Sequence, residues 1–266
     1  MSPGTISALS EVKALTFDVL GTVVDWRSSV TEELYLRAFR KHSADLPADL
    51  KEKLERLTEE DWGRFAHAWH GTYGEFTKGF DATRDEWKTV DEHYRDSLRE
   101  LLSTWGFAGL YSEAEIESLS LVWHRLKPFP DSAEGLAQLG SKFTTSTLSN
   151  GNSNLLQDLK DFGSLGFHHL LCAETFHAYK PDPATYLGAA RELGVEPHQL
   201  AMVAAHLGDL ASARKFGLRT VYVERPQEEQ WKETEERYAE AKRWVDLWVT
   251  VDEDGFLTVA QKLREL

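Results

Sequence analysis

The feature that most constrains the fold is an interruption. A short apolar run, "KALTFDVL" at 13–20, is followed by well over a hundred residues before the next such run, "SKFTTSTLS" at 141–149. The interval is almost wholly helical in pattern: "SSVTEELYLRAFRKH", "DLKEKLERLTEEDWGRFAHAWHGTYGEF", "RDEWKTVDEHYRDSLRELLSTWG" and "SEAEIESLSLVWHRL". A structureless loop of that length is implausible in a compact domain. The pattern therefore predicts a helical subdomain over 26–125, inserted after the first strand and covering the strand ends as a lid. The remaining residues, 1–25 and 126–266, form the core. There, "LAMVAAH", "LRTVYVE" and the further candidate "HHLLCAE" read as buried strands. Helical stretches at 131–140, 152–162, 183–194 and 209–217 separate them. Strand–helix alternation of this kind predicts an α/β fold, a Rossmann-like and mostly parallel sheet with helices on both faces. In such sheets ligands sit beyond the carboxyl ends of the strands.

Those ends carry the chemistry. The first strand delivers Asp18 and breaks at once into Gly21 and Thr22. The second runs into "LSNGN", with Ser149 and Asn150, and the "HHLLCAE" candidate leads to "YKPDPATY", with Lys180 and Tyr186. "LAMVAAH" leads to "AAHLGDLASARKFG", with His206 and Asp209. Singly, each has a plainer role: Asp18 as a turn cap, Thr22, Ser149 and Asp209 as helix N-caps, Lys180 as a surface charge. Together, at one end of one parallel sheet, they converge two carboxylates, an ammonium and several hydroxyl or amide groups.

Composition narrows the ligand. The 266 residues carry a formal net charge of −14, which argues against a nucleic-acid partner, since phosphate binding needs clustered Lys and Arg. A small anion would have to be held by local positive potential from a few residues and helix N-termini. The single cysteine, Cys172, fits a reducing compartment. The opening residues do not read as a basic-then-apolar leader, and no apolar run approaches the ~20 residues that cross a bilayer. A cytoplasmic protein without a membrane partner is expected. The charged run "PQEEQWKETEERYAEAKRW" reads as a helix with a solvated face.

The set "FDVLGT", "LSNG", "YKPDPATY" and D-L-x-x-A-R-x-x-G resembles the haloacid dehalogenase superfamily, and more narrowly its type II L-2-haloacid dehalogenases. The resemblance spans nearly the whole core and the placement of the helical insertion. It implies that Asp18 is a nucleophile and that Lys180 neutralises and orients it. Thr22 and Ser149 would hold carboxylate oxygens, and Tyr186 and Asp209 would fix Lys180 and the water network. Asp18, Lys180, Asp209 and Thr22 are thus the expected catalytic set. Leu20, His70, Ser149, Asn150, Tyr186 and His206 are expected around a small anionic 2-haloacid, and a homodimer is a family-level expectation.

Most of the superfamily uses Mg²⁺, with a second acid two residues after the nucleophile and another four residues before the place of Asp209. Leu20 and Ala205 stand there. Neither can ligate a hard cation or protonate a leaving alkoxide. Halide leaves as a stable anion and needs neither service, so the expected reaction is metal-independent hydrolytic dehalogenation of short 2-haloalkanoic acids through an aspartyl ester, with no cofactor. Two departures stand out. His70 follows Trp69 where the resemblance implies a halide-binding arginine, with Arg64, six residues earlier, as a substitute, and Ala204 and His206 stand where many relatives have Ser and Asn. Trp62, Trp69, Tyr73 and Phe76, at helical spacing, either crowd the substrate or pack as core. A phosphatase-like hydrolase and a catalytically impaired binding or regulatory homologue remain open.

Overall fold

The computed structural model describes residues 6–81 and 83–266. The chain divides into two compact units, Met1–Asp25 with Pro128–Leu266, and Trp26–Lys127. In the first, six strands form one sheet: β1 (Ala14–Phe17), β2 (Thr144–Ser149), β3 (His169–Cys172), β4 (Leu200–Ala204), β5 (Arg219–Val223) and β6 (Leu247–Val249). Their order is β3-β2-β1-β4-β5-β6, and every pairing is parallel. The expected α/β, Rossmann-like architecture is what forms. β1 lies centrally, with Phe17 opposite Thr147 on one side and Val203 on the other. All four of its residues are buried, so it needs the continuous apolar run that the sequence supplies.

The second unit holds α1 (Trp26–Lys41), α2 (Ala48–Glu55), α3 (Glu59–Gly79), α4 (Val90–Thr104) and α5 (Glu113–Ser120). The last three open on reciprocal capping boxes, Thr58 with Asp61, Thr89 with Glu92 and Ser112 with Glu115, which satisfy otherwise orphaned N–H groups. Their shared core contains a cluster of aromatic rings among aliphatic side chains. Trp62, Phe65, Trp69, Tyr94, Phe107 and Trp123 are all almost fully buried, and the Trp69 indole donates to the Tyr94 carbonyl at 3.0 Å.

The core's helices are α6 (Ser132–Gly140), α7 (Ser153–Phe162), α8 (Ala173–Phe176), α9 (Pro183–Glu192), α10 (Leu207–Lys215), α11 (Glu236–Trp244) and α12 (Gly255–Arg264). Tyr186 of α9, Leu207 and Leu210 of α10 and Ala241 of α11 join one apolar cluster with β4. Phe17 meets Phe256 of α12 edge to face at 5.2 Å on the other face. α6 fits there because residue 135 is glycine: a Cβ would lie 2.4 Å from that of Phe256.

Two expectations need correction. The charged run is helical only over Glu236–Trp244, while 226–235 form turns, because Pro226 and the crowded glutamates leave no sustained helical period there. β6 was not anticipated, since three residues are too few to show a strand pattern. Among the described residues no helix is long and apolar enough to cross a membrane.

Candidate active site

The site sits at the carboxyl ends of β1 and β4. β1 stops at Phe17, and the Asp18 N–H bonds the Val203 carbonyl at 3.0 Å, so the neighbouring strand fixes where the carboxylate emerges. The turn then folds back on the Val19 carbonyl, which accepts from Thr22, Val23 and Val24. Gly21 has φ +80°, and a Cβ there would lie 2.1 Å from a Glu228 carboxylate oxygen. Glycine is required twice, for the left-handed backbone and for the close approach.

Asp18 is held through both oxygens. Lys180 Nζ donates to Oδ1 at 2.9 Å. Thr22 Oγ1 donates to Oδ2 at 2.8 Å, and His206 Nδ1 lies 3.0 Å from the same atom. Thr22 Oγ1 itself accepts the Ala205 N–H at 2.9 Å, which leaves its own proton for Asp18. Burial opposes ionisation of Asp18, but the Lys180 charge and the His206 hydrogen bond outweigh it and hold the carboxyl well below the usual carboxylate range.

Lys180 is bracketed by two carboxylates, with Asp209 Oδ2 at 2.5 Å. Burial works against its charge, yet Asp18 and Asp209 raise its pKa above the ordinary lysine value. Tyr186 donates to Asp209 Oδ1 at 2.6 Å. Burial above all pushes the phenol's pKa up, so it remains a donor. Asn150 grips the backbone of Lys180 twice, accepting its N–H at 2.6 Å and donating to its carbonyl at 3.3 Å. α9 starts immediately after, with Asp182 capping the Ala184 N–H and Pro183 in its first turn.

The structure thus brings Asp18, Thr22, Lys180, Asp209, Tyr186 and His206 into one hydrogen-bonded network, with Asn150 supporting the lysine. Ser149, 2% exposed, accepts the Gly151 N–H at 3.1 Å and shapes its own turn. Leu20 is buried and apolar. His70 belongs to the other unit, in a cage of rings. It stacks on Trp26 at a centroid distance of 4.0 Å and on Tyr73 at 5.4 Å, with Nδ1 3.4 Å from the Tyr94 hydroxyl. Arg64 is exposed and bridges Glu60 and Asp61 on its own helix, so it does not join that cage. Trp62 and Trp69 pack as core.

Sequence reasoning missed the residues after β5. Glu228 Oε2 lies 3.4 Å from His206 Nε2, and Glu229 accepts the Leu207 N–H at 2.7 Å, capping α10. Burial raises the Glu229 pKa. Arg225 donates to the Thr22 carbonyl at 3.0 Å and forms a bidentate pair with Asp131 at 2.7 and 2.8 Å, pinning the turn from behind. The signal was available: β5 ends at the same edge of the sheet, so residues after it belong near the site. For His206, burial disfavours the imidazolium, but the hydrogen bonds to Asp18 and Glu228 prevail and its pKa is pushed up to about 10.

The donor set does not suit Mg²⁺. The Asp18 oxygens face the cations Lys180 and His206, those of Asp209 face Lys180 and the Tyr186 hydroxyl, and the flanking positions are Leu20 and Ala205. A further cation would meet repulsion and too few hard ligands. What the network can do is hold a desolvated, ionised carboxylate in one orientation, as nucleophilic attack requires.

A family profile described as haloacid dehalogenase-like hydrolase matches residues 12–217. The chain is 27% identical over 231 residues to (S)-2-haloacid dehalogenase 1 of Pseudomonas sp. (strain CBS-3), covering 83% of this chain and 89% of that protein. Among solved structures, a defluorinating L-2-haloacid dehalogenase is 30% identical with a TM-score of 0.79, covering 95% of both chains. Another L-2-haloacid dehalogenase is 32% identical with a TM-score of 0.76, covering 96% of this chain and all of that one. The chain belongs to the haloacid dehalogenase-like hydrolases and, within them, is L-2-haloacid dehalogenase-like.

Proposed function

We propose that the protein is a hydrolytic dehalogenase of short 2-haloalkanoic acids that works without a metal ion, through an ester on Asp18. One observation carries the reading: a largely buried carboxylate, its side chain 13% exposed, with donors on both oxygens, in a site where Leu20 and Ala205 replace the acids that a metal-dependent phosphoryl transfer would need. The similarity to proteins named as (S)-2-haloacid and L-2-haloacid dehalogenases supports the substrate class.

Asp18 Oδ1 carries one donor and Oδ2 two, so Oδ1 keeps the freer lone pair and attacks C2 of the substrate from the side opposite the halogen. The carbon–halogen bond breaks, halide leaves with its electron pair, and the carbon inverts. Lys180 keeps the attacking carboxylate ionised and aimed, and Asp209 with Tyr186 holds Lys180 in place. Water then attacks the ester carbonyl carbon, the 2-hydroxy acid departs with the former Asp18 oxygen, and the carboxylate is restored. A cytoplasmic homodimer belongs to the same reading.

The test is free halide released from 2-chloropropionate and bromoacetate, with and without EDTA, and with Asp18→Asn. Chelator-resistant release that Asp18→Asn abolishes is expected. No halide from any short haloacid from the wild-type protein would overturn the reading.

A further inference from the structure

Resting on that reading, we infer that His206, backed by Glu228, is the charged half of an oxyanion hole for the ester-hydrolysis step, and that Glu228 is its positioning residue. The geometry separates the two Asp18 oxygens. If Oδ1 forms the ester, Oδ2 becomes its carbonyl oxygen, and Oδ2 already faces two donors: Thr22 Oγ1 at 2.8 Å and His206 Nδ1 at 3.0 Å. Neither donor is free to swing. Thr22 is fixed by the Ala205 N–H. His206 is fixed from behind by Glu228, which is 7% exposed and pressed against the Cβ-less face of Gly21. Donors fixed before reaction on an atom that gains charge are the arrangement that lowers such barriers most.

Charge supports the assignment. Esterification neutralises Asp18, which would leave His206 without its first carboxylate, but Glu228 remains on Nε2 as counter-ion. The other groups nearby are Glu229, which feels the His206 charge, and Lys180 with Asp209 on the Oδ1 side. The imidazolium thus persists into the second step. Water adds to the ester carbon and yields a proton to solvent, and the carbonyl π pair moves onto Oδ2, where Thr22 and His206 meet it. As that pair returns, the bond between the ester carbon and the substrate oxygen breaks. The departing oxygen takes a proton from solvent, the new Asp18 carboxyl gives its remaining water-derived proton to solvent, and Asp18 ends as a carboxylate again paired with His206.

The experiment is rapid-quench halide release with mass analysis of the Asp18 peptide, in wild type, Glu228→Gln and His206→Gln, using bromoacetate or 2-chloropropionate. In both variants one equivalent of halide per site is expected at near the wild-type rate. Turnover should then be ~10²-fold slower or worse, and most Asp18 peptide should carry the added acyl mass. In Glu228→Gln the alkaline fall of steady-state turnover also moves to lower pH, while the halide burst keeps its pH dependence. Glu228→Gln nearly preserves side-chain volume, and a burst of full stoichiometry certifies that the protein is folded. Wild-type turnover and an unmoved alkaline limb in Glu228→Gln would overturn the assignment, as would equal slowing of burst and turnover. Absence of halide, or of any acylated Asp18, in wild type would instead sink the dehalogenase reading beneath it.

Discussion

Two histidines of this chain occupy opposite kinds of surroundings. His206 lies between the carboxylates of Asp18 and Glu228, and its pKa is pushed up to about 10 because those hydrogen bonds outweigh burial. In the inserted unit, His70 is packed between the rings of Trp26 and Tyr73. Nearby His93 stacks on Phe76 at 4.5 Å, and burial, aided by the Lys88 charge, pulls its pKa down to about 4. The lesson is that burial beside a cation discharges an imidazole, while neighbouring carboxylates charge it even where burial opposes them. A polar network is therefore concentrated at the strand ends of the core, and the insertion sets its His70 and His93 among stacked rings.

The comparison can be broken first at its ionic pole. Asp18→Asn should lower halide release at least ~10⁴-fold, because the substitution removes the nucleophile itself; steady-state halide assays measure it. Lys180→Met leaves Asp18 and Asp209 facing each other without their shared cation. It should destabilise the fold by about 3–5 kcal/mol and abolish turnover, as read by denaturant unfolding and halide assay. Arg225→Met leaves Asp131, whose side chain is 12% exposed, without its cation and, among the described residues, with only the Phe256 N–H as donor, and frees the Thr22 carbonyl. A loss of similar size in stability is expected there, and a change under about 1 kcal/mol would show the pair to be solvated and unimportant.

pH sharpens the same contrast. The His206 pKa is raised on folding, so its contribution to stability is complete below the unfolded value of ~6.5 and is lost as pH climbs through about 10. Asp18 is depressed, so its contribution is complete above ~3.9 and is lost on acidification. Stability from this cluster should hold through neutral pH and decline on both sides; His206→Gln should flatten the alkaline decline, measured as unfolding midpoint against pH.

At the aromatic pole effects should be smaller. His70→Phe keeps a ring against Trp26 and should change stability by less than ~1.5 kcal/mol, with halide turnover within a few-fold of wild type. A hundredfold loss would give the imidazole a part in the chemistry. Thr58→Ala removes one half of a capping box and should cost about 1 kcal/mol, seen as a lowered unfolding midpoint with unchanged turnover.

These contrasts also explain what could be read from the chain alone. Asp18, Lys180 and Asp209 were legible because each follows an apolar run in a parallel sheet, and topology sends all such ends to one edge. The long helical interval was legible because its apolar spacing persists through α1 to α5. Glu228 was not, since a charged stretch next to a true helix reads as more of the same helix; only the three-dimensional course of 226–235 brings it to Gly21. Arg225 and Asp131 lie far apart in sequence and meet only because β5 and the start of α6 converge on the Thr22 turn. His206 and His70 looked equally ambiguous, for a lone imidazole takes its character from partners that no local pattern names.

Most directly, the claim that Asp18 is alkylated can be tested by a single turnover in oxygen-18 water with enzyme in excess over 2-chloropropionate. The account predicts that the label enters the Asp18 carboxylate, found by peptide mass, while the 2-hydroxy acid carries the old aspartate oxygen. Labelled product with an unlabelled Asp18 peptide would mean that water, not the protein, attacks the substrate carbon, and would contradict it.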